Sequence, residues 1–161
     1  MKEKHSYIGI LTTTSLSTFL VPFIGSALNV AMPSLGKDLS LTAPQLGWVV
    51  SAYLLPTAAL LIPMGRIADL TGRRRLFFSG TLLFTIASLL SALAPNAALF
   101  FLSRILHGVG ASMIFANSAA ILTASVPPSH RGGALGINTA TVYIGMSIGP
   151  FLGGLMTSLI S

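Results

Sequence analysis

The chain has 161 residues, 53% hydrophobic and only 7% charged, with no cysteine. A soluble domain carries about 25% charged residues, so this one lacks the groups that water would solvate and must be solvated by lipid. Its formal charge of +6 comes from short basic clusters between apolar runs rather than from one basic face, which argues against nucleic-acid binding, and the lack of cysteine excludes disulfides.

The first apolar run covers about residues 7–32 and is preceded by Lys2 and Lys4. It is longer than the apolar core of a secretory signal peptide and ends on no small-residue cleavage site, so it is read as a retained spanning helix. Asn29 near its end is polar within an apolar run, either gluing helices together or lining a cavity. After a gap at 33–44, the second run covers about 46–64. Trp48 and Tyr53 fall in its first turns, where Trp48 reads as an aromatic of the membrane interface.

The connection at 65–75 reads Gly-Arg-Ile-Ala-Asp-Leu-Thr-Gly-Arg-Arg-Arg. Its arginines suit a tight turn that sets topology, but an acid, Asp69, stands in an otherwise basic hairpin. A carboxylate there can pair with a guanidinium such as Arg73 or cap a helix start. Gly65 would let another helix approach closely, and Gly72 would support a sharp turn.

The third run spans about 76–94 and the fourth about 98–126, separated by Pro95-Asn96. Arg104 lies inside the fourth. A guanidinium within a spanning helix costs roughly 2.5–3.5 kcal/mol on insertion scales. It therefore either faces a wet protein interior or snorkels to the interface about two turns away, and the interior reading is preferred. His107, three residues on, shares its helix face and is a candidate for lining a cavity and carrying a proton. Asn117 reads as glue between helices.

The fifth run, about 134–160, follows a break at 127–133. Gly145, Gly149 and Gly153 recur every fourth residue in it and form a smooth stripe, the pattern of close helix packing. Pro150 removes a backbone donor and favours a kink. Alternating the five crossings places Lys2, Lys4, Arg66, Arg73, Arg74, Arg75 and Arg131 on one side and Lys37 on the other. This bias puts the N-terminus in the cytoplasm.

Three of these segments resemble signatures of the major facilitator superfamily. The connection holding Gly65, Asp69, Gly72 and Arg73 is similar to the family's G-x-L-A-D-x-x-G-R-R-R loop, with Ile67 in place of Leu. The stretch from Arg104 to Ala111 resembles its R-x-x-Q-G-x-G-A helix, with His107 in place of Gln. The segment containing Gly145, Gly149, Pro150, Gly153 and Gly154 looks like the G-x-x-x-G-P-x-x-G-G signature of drug:proton antiporters. The segments around Asn29 and Tyr53 are similar to the fourteen-helix branch of those antiporters.

The resemblance implies an all-α integral membrane fold, with five transmembrane helices corresponding to the first five of an N-terminal bundle, and residues 1–161 forming one partial domain. It implies efflux of a small apolar or cationic substrate across the plasma membrane in exchange for protons. Asp69 and Arg73 would then act as gating residues, Arg104 in proton transfer, and no cofactor or metal would be needed.

Two departures qualify this expectation. In that branch an Asp usually precedes the helix-one Asn by five residues, and here the position is Ile24. The only acids are Glu3, Asp38 and Asp69, none inside an expected span, although an intramembrane carboxylate is the usual proton carrier. Family members also have twelve or fourteen helices with the site between two halves. The five helices alone would leave the glycine stripe and Arg104 facing lipid, and further sequence or a second chain would have to supply the rest. The competing readings are a non-transporting remnant or subunit of a split transporter, and a membrane enzyme. The enzyme reading is weak, because no HExxH, Gly-x-Ser-x-Gly or paired intramembrane carboxylates occur.

Overall fold

In a computed structural model, described for the backbone of residues 2–160 and the side chains of residues 7–159, the chain forms five long helices. They are α1 (Lys2–Asp38), α2 (Ala43–Thr71), α3 (Arg73–Ala92), α4 (Ala97–Ser125) and α5 (Arg131–Ile160), with a single 3-10 turn at Pro128–His130 before the last. All five are long and apolar enough to cross a bilayer. At 1.5 Å per residue the 37-residue α1 extends about 55 Å, well beyond a hydrocarbon core of roughly 30 Å.

The helices overrun the apolar runs that mark them in the sequence. The expected gap at 33–44 is helical through Asp38, and α1 passes through Pro22 and Pro33 without interruption. It ends where Ser40 takes a positive φ of 50° and the Leu41 N–H bonds the Gly36 carbonyl at 2.8 Å, satisfying carbonyls the helix end would leave free. The expected connection at 65–75 is likewise helical on both sides of a single residue, Gly72. The gap at 127–133 shrinks because the 3-10 turn and the start of α5 occupy it. Each difference has one cause: hydropathy falls where charged residues begin, whereas a helix continues past the hydrocarbon edge while its long basic side chains reach water.

The helix starts follow local chemistry. Gln45 Oε1 accepts the Thr42 N–H at 2.8 Å to open α2, and Asn96 Oδ1 accepts the Leu99 N–H at 3.0 Å to open α4. Both satisfy donors that have no carbonyl one turn back. Hydroxyls within the helices mostly donate to their own backbone three or four residues earlier, as Thr18, Thr81 and Ser112 do. That removes the cost of a bare hydroxyl in an apolar medium.

Helix α4 is the buried centre of the bundle and packs on all four others. Its main partners are α3 and α2, while α1 lies chiefly along α5. Val21, Tyr53, Phe77, Phe84, Ala111, Ile114 and Ile121 make one continuous core. Glycines set two of these seams. A Cβ on Gly80 would lie 2.5 Å from Met113 Cβ, and one on Gly110 would lie 2.9 Å from both Gly80 O and Phe84 N. On the other side of α4, a Cβ on Gly108 would strike the Tyr53 carbonyl and reach 3.0 Å from Pro56 Cβ. The backbones approach this closely because small residues remove the side chain between them. Thr57 adds a hydroxyl 3.2 Å from the Gly108 carbonyl.

Candidate functional site

The sequence-derived residues fall into three places. The first is the junction of α2 and α3. Gly72 has φ +101°, a backbone setting that favours glycine, and it joins the two helices without a loop. Asp69 in the last turn of α2 pairs with Arg73, the first residue of α3, at 2.6 Å. Both side chains are well exposed, so the pair contributes only a few tenths of a kcal/mol, about as much as other surface pairs, and its value lies in geometry. Arg74 reaches Ser125 at the end of α4 at 3.4 Å. Together these residues line a cavity of roughly 610 Å³ between the junction and the end of α4. A Cβ on Gly65 would meet nothing within 4 Å, so among the described residues no helix makes the close approach expected there.

The second place is an open-sided cavity of roughly 380 Å³ between α1, α2, α4 and α5, lined among others by Ser26, Asn29, Tyr53, Arg104, Phe115 and Met146. Arg104 is 2% exposed. Its Nε donates to the Val49 carbonyl at 3.2 Å and its guanidinium lies 4.8 Å from the Tyr53 ring centroid. A carbonyl and an aromatic face thus solvate the cation where water cannot. Snorkelling and exposure to lipid are both overturned, since α2 covers Arg104 within this bundle. Asn29 is exposed at the cavity mouth.

His107 goes elsewhere. Its ring is buried against α3, with Nε2 2.8 Å from Ser88 Oγ and Phe84 edge-on at 4.7 Å, and its Nδ1 has no partner. It is not among the residues lining the Arg104 cavity. Three residues advance a helix by about 300°, and that offset turns Arg104 toward α2 and His107 toward α3. Asn117 is corrected too: its Nδ2 bonds the Met113 carbonyl of its own helix at 2.7 Å, not a neighbour. An asparagine does tie helices elsewhere: Asn138 Nδ2 of α5 donates to Thr18 Oγ1 of α1 at 2.9 Å, and both are buried. Its sequence signal, an Asn within an apolar run, was the same one that marked Asn29 and Asn117.

The third place is the seam between α1 and α5. Gly145, Gly149 and Gly153 are all buried, so they do not face lipid. A Cβ on Gly145 would lie 2.5 Å from Phe19 O, one on Gly149 would strike Ser26 Oγ, and one on Gly153 would lie 2.7 Å from Ala27 O. Gly154 is in ordinary contact with Val30. Helix α5 is continuous through Pro150, which is exposed. The stripe is therefore covered within the chain, with α1 as its partner.

Five apolar helices around a buried cation and a small, mostly apolar cavity define a multi-pass membrane protein of the transporter class. The chain belongs to the major facilitator superfamily, whose family profile matches residues 14–161, and this is a family of transporters rather than enzymes. It is 35% identical over 156 residues to a riboflavin transporter of Clostridioides difficile, covering 97% of this chain and 34% of that protein. It is 40% identical to a puromycin resistance protein of Streptomyces alboniger, over 86% of this chain and 28% of that protein. With the multidrug resistance protein Stp of Mycobacterium tuberculosis it shares 35% identity, over 91% of this chain and 27% of that one. The chain thus spans about a third or less of the length of these relatives.

Proposed function

We propose that the chain acts as the first five helices of an exporter that moves small, largely apolar molecules out of the cytoplasm in exchange for protons. Its place is the plasma membrane, with the N-terminus inside. Further helices, in the same or a second polypeptide, complete the pathway. The observation that carries this reading is the Arg104 cavity, a largely apolar space with a buried cation at its wall, in a chain whose relatives include resistance proteins. Resemblance of the Gly145–Gly154 segment to antiporters supports the outward direction of transport. In this reading the α2–α3 junction supplies the gate, with Asp69 and Arg73 closing across Gly72, and the basic residues at that end support the orientation.

Arg104 and His107 share the coupling role in this reading. His107 can bind and release a proton through a ring nitrogen, and it sits on the same helix as the cavity cation without touching the cavity. Everted membrane vesicles from cells making the full protein test the proposal. They should accumulate at least one of a panel of neutral, anionic and cationic dyes, only when their interior is made acidic. Accumulation that ignores the pH gradient would remove proton coupling, and no accumulation of any dye would remove export.

A further inference from the structure

The Arg104 cavity carries charge of one sign. Its lining includes one cation, three polar side chains (Ser26, Asn29 and Tyr53) and no acid. Of the described acids, Asp69 is paired with Arg73 and Asp38 ends α1, both away from this cavity. A guanidinium has five N–H donors, and among the described residues only the Nε donor of Arg104 is used. Ser26 already donates to the Phe23 carbonyl. The aromatic face that would attract a cationic ligand is occupied, because Arg104 itself lies over Tyr53.

We infer that this cavity receives the oxyanion end of the transported molecule, a carboxylate or sulfonate on an otherwise apolar body, and disfavours cationic substrates. Arg104 is the anchor. Its terminal nitrogens offer the planar fork that pairs with two oxygens of a carboxylate, in a medium where that pairing is little screened. Asn29, at the mouth, supplies an amide donor, and Phe115, Val142 and Met146 contact the apolar body. Among the described residues, a cation entering the same space meets a like charge and no counter-ion. The inference rests on the exporter reading for its word "transported" and narrows the substrate class within it.

The test is equilibrium binding without any gradient, so that it stands apart from export. The full-length protein in lipid nanodiscs is titrated, by fluorescence anisotropy at neutral pH, with fluorescein as the anionic probe and rhodamine 123 as the cationic one. Empty nanodiscs provide the blank. Fluorescein should bind at least roughly 10-fold more tightly than rhodamine 123. Arg104→Gln should weaken fluorescein binding roughly 10- to 100-fold, the range for losing a hydrogen-bonded charge, and Arg104→Lys should keep part of the preference. Arg104 is also packed within the bundle, so Asn29→Asp is a second probe. It places a carboxylate at the exposed mouth and should erase the preference for fluorescein. Rhodamine 123 binding as tightly as fluorescein, binding of neither dye, or a preference unchanged in Asn29→Asp would each overturn the inference. A preserved preference in a protein that transports nothing would count against export alone.

Discussion

Gly153→Ala adds one methyl group to the α1–α5 seam, at a point where only backbone can yield. The new Cβ would stand 2.7 Å from Ala27 O, 3.0 Å from its Cα and 3.2 Å from its carbonyl carbon, whereas ordinary contact begins at 3.4 Å. Relief therefore requires α1 and α5 to separate by roughly 0.7 Å at this level, the difference between 3.4 and 2.7 Å. Overpacking of this kind costs about 1–3 kcal/mol. At about 2–4 °C per kcal/mol for a chain of this size, the midpoint of thermal unfolding in detergent should fall by roughly 2–12 °C. Gly136→Ala, on the same helix, is the control: its Cβ would meet nothing within 4 Å, and alanine is the better helix former by about 1 kcal/mol. Its midpoint should hold or rise. Fluorescence-detected size-exclusion after heating reads both variants in one experiment. Equal midpoints for the two would refute the claim that the stripe exists to bring α1 and α5 into backbone contact.

Three other outcomes follow from the geometry. Asp69→Asn should lower transport severalfold with normal membrane insertion, measured by vesicle uptake beside membrane-fraction yield, since arginines and not Asp69 set the topology; undiminished uptake would take Asp69 out of the gate. His107→Gln keeps a polar group near Ser88 but loses the titratable nitrogen, so uptake against pH should flatten. An unchanged profile would end the proton-carrier role. Asn138→Val removes the bond to Thr18 and should lower the unfolding midpoint by about 2–4 °C, the effect of losing roughly 1 kcal/mol, and a midpoint equal to that of the unsubstituted chain would show that the tie between α1 and α5 is idle.

The number and order of the spanning helices were legible because lipid leaves a plain signal, long runs without charge. Their ends were not. The residues 65–71 look like a loop by composition, yet they continue α2, because a helix needs its backbone bonds more than it needs apolar side chains. Arg104 could be marked from the sequence by the cost of its burial, and the structure adds the partners that meet it, the Val49 carbonyl and the Tyr53 ring. The separation of His107 from Arg104 was not legible. Spacing of three places two side chains on neighbouring faces, and which neighbour each one meets depends on how α2 and α3 flank α4. Gly80 was missed for a similar reason. A lone glycine shows no periodicity, and its close fit appears only when Met113 and Gly110 are brought against it.

The single-residue link at Gly72 has a mechanical consequence. With no slack between them, α2 and the 20-residue α3 would turn as two arms on one pivot wherever their packing on α4 gave way, and a rotation of 10° at that pivot would move the far end of α3 by roughly 5 Å over a length of about 30 Å. The Asp69–Arg73 pair spans the pivot at its shortest radius, where a small force exerts little torque. In the gate proposed above, it would latch one angle against others of similar energy without holding the arms against a load. That is the behaviour expected of a detent, which marks a position and releases when pushed.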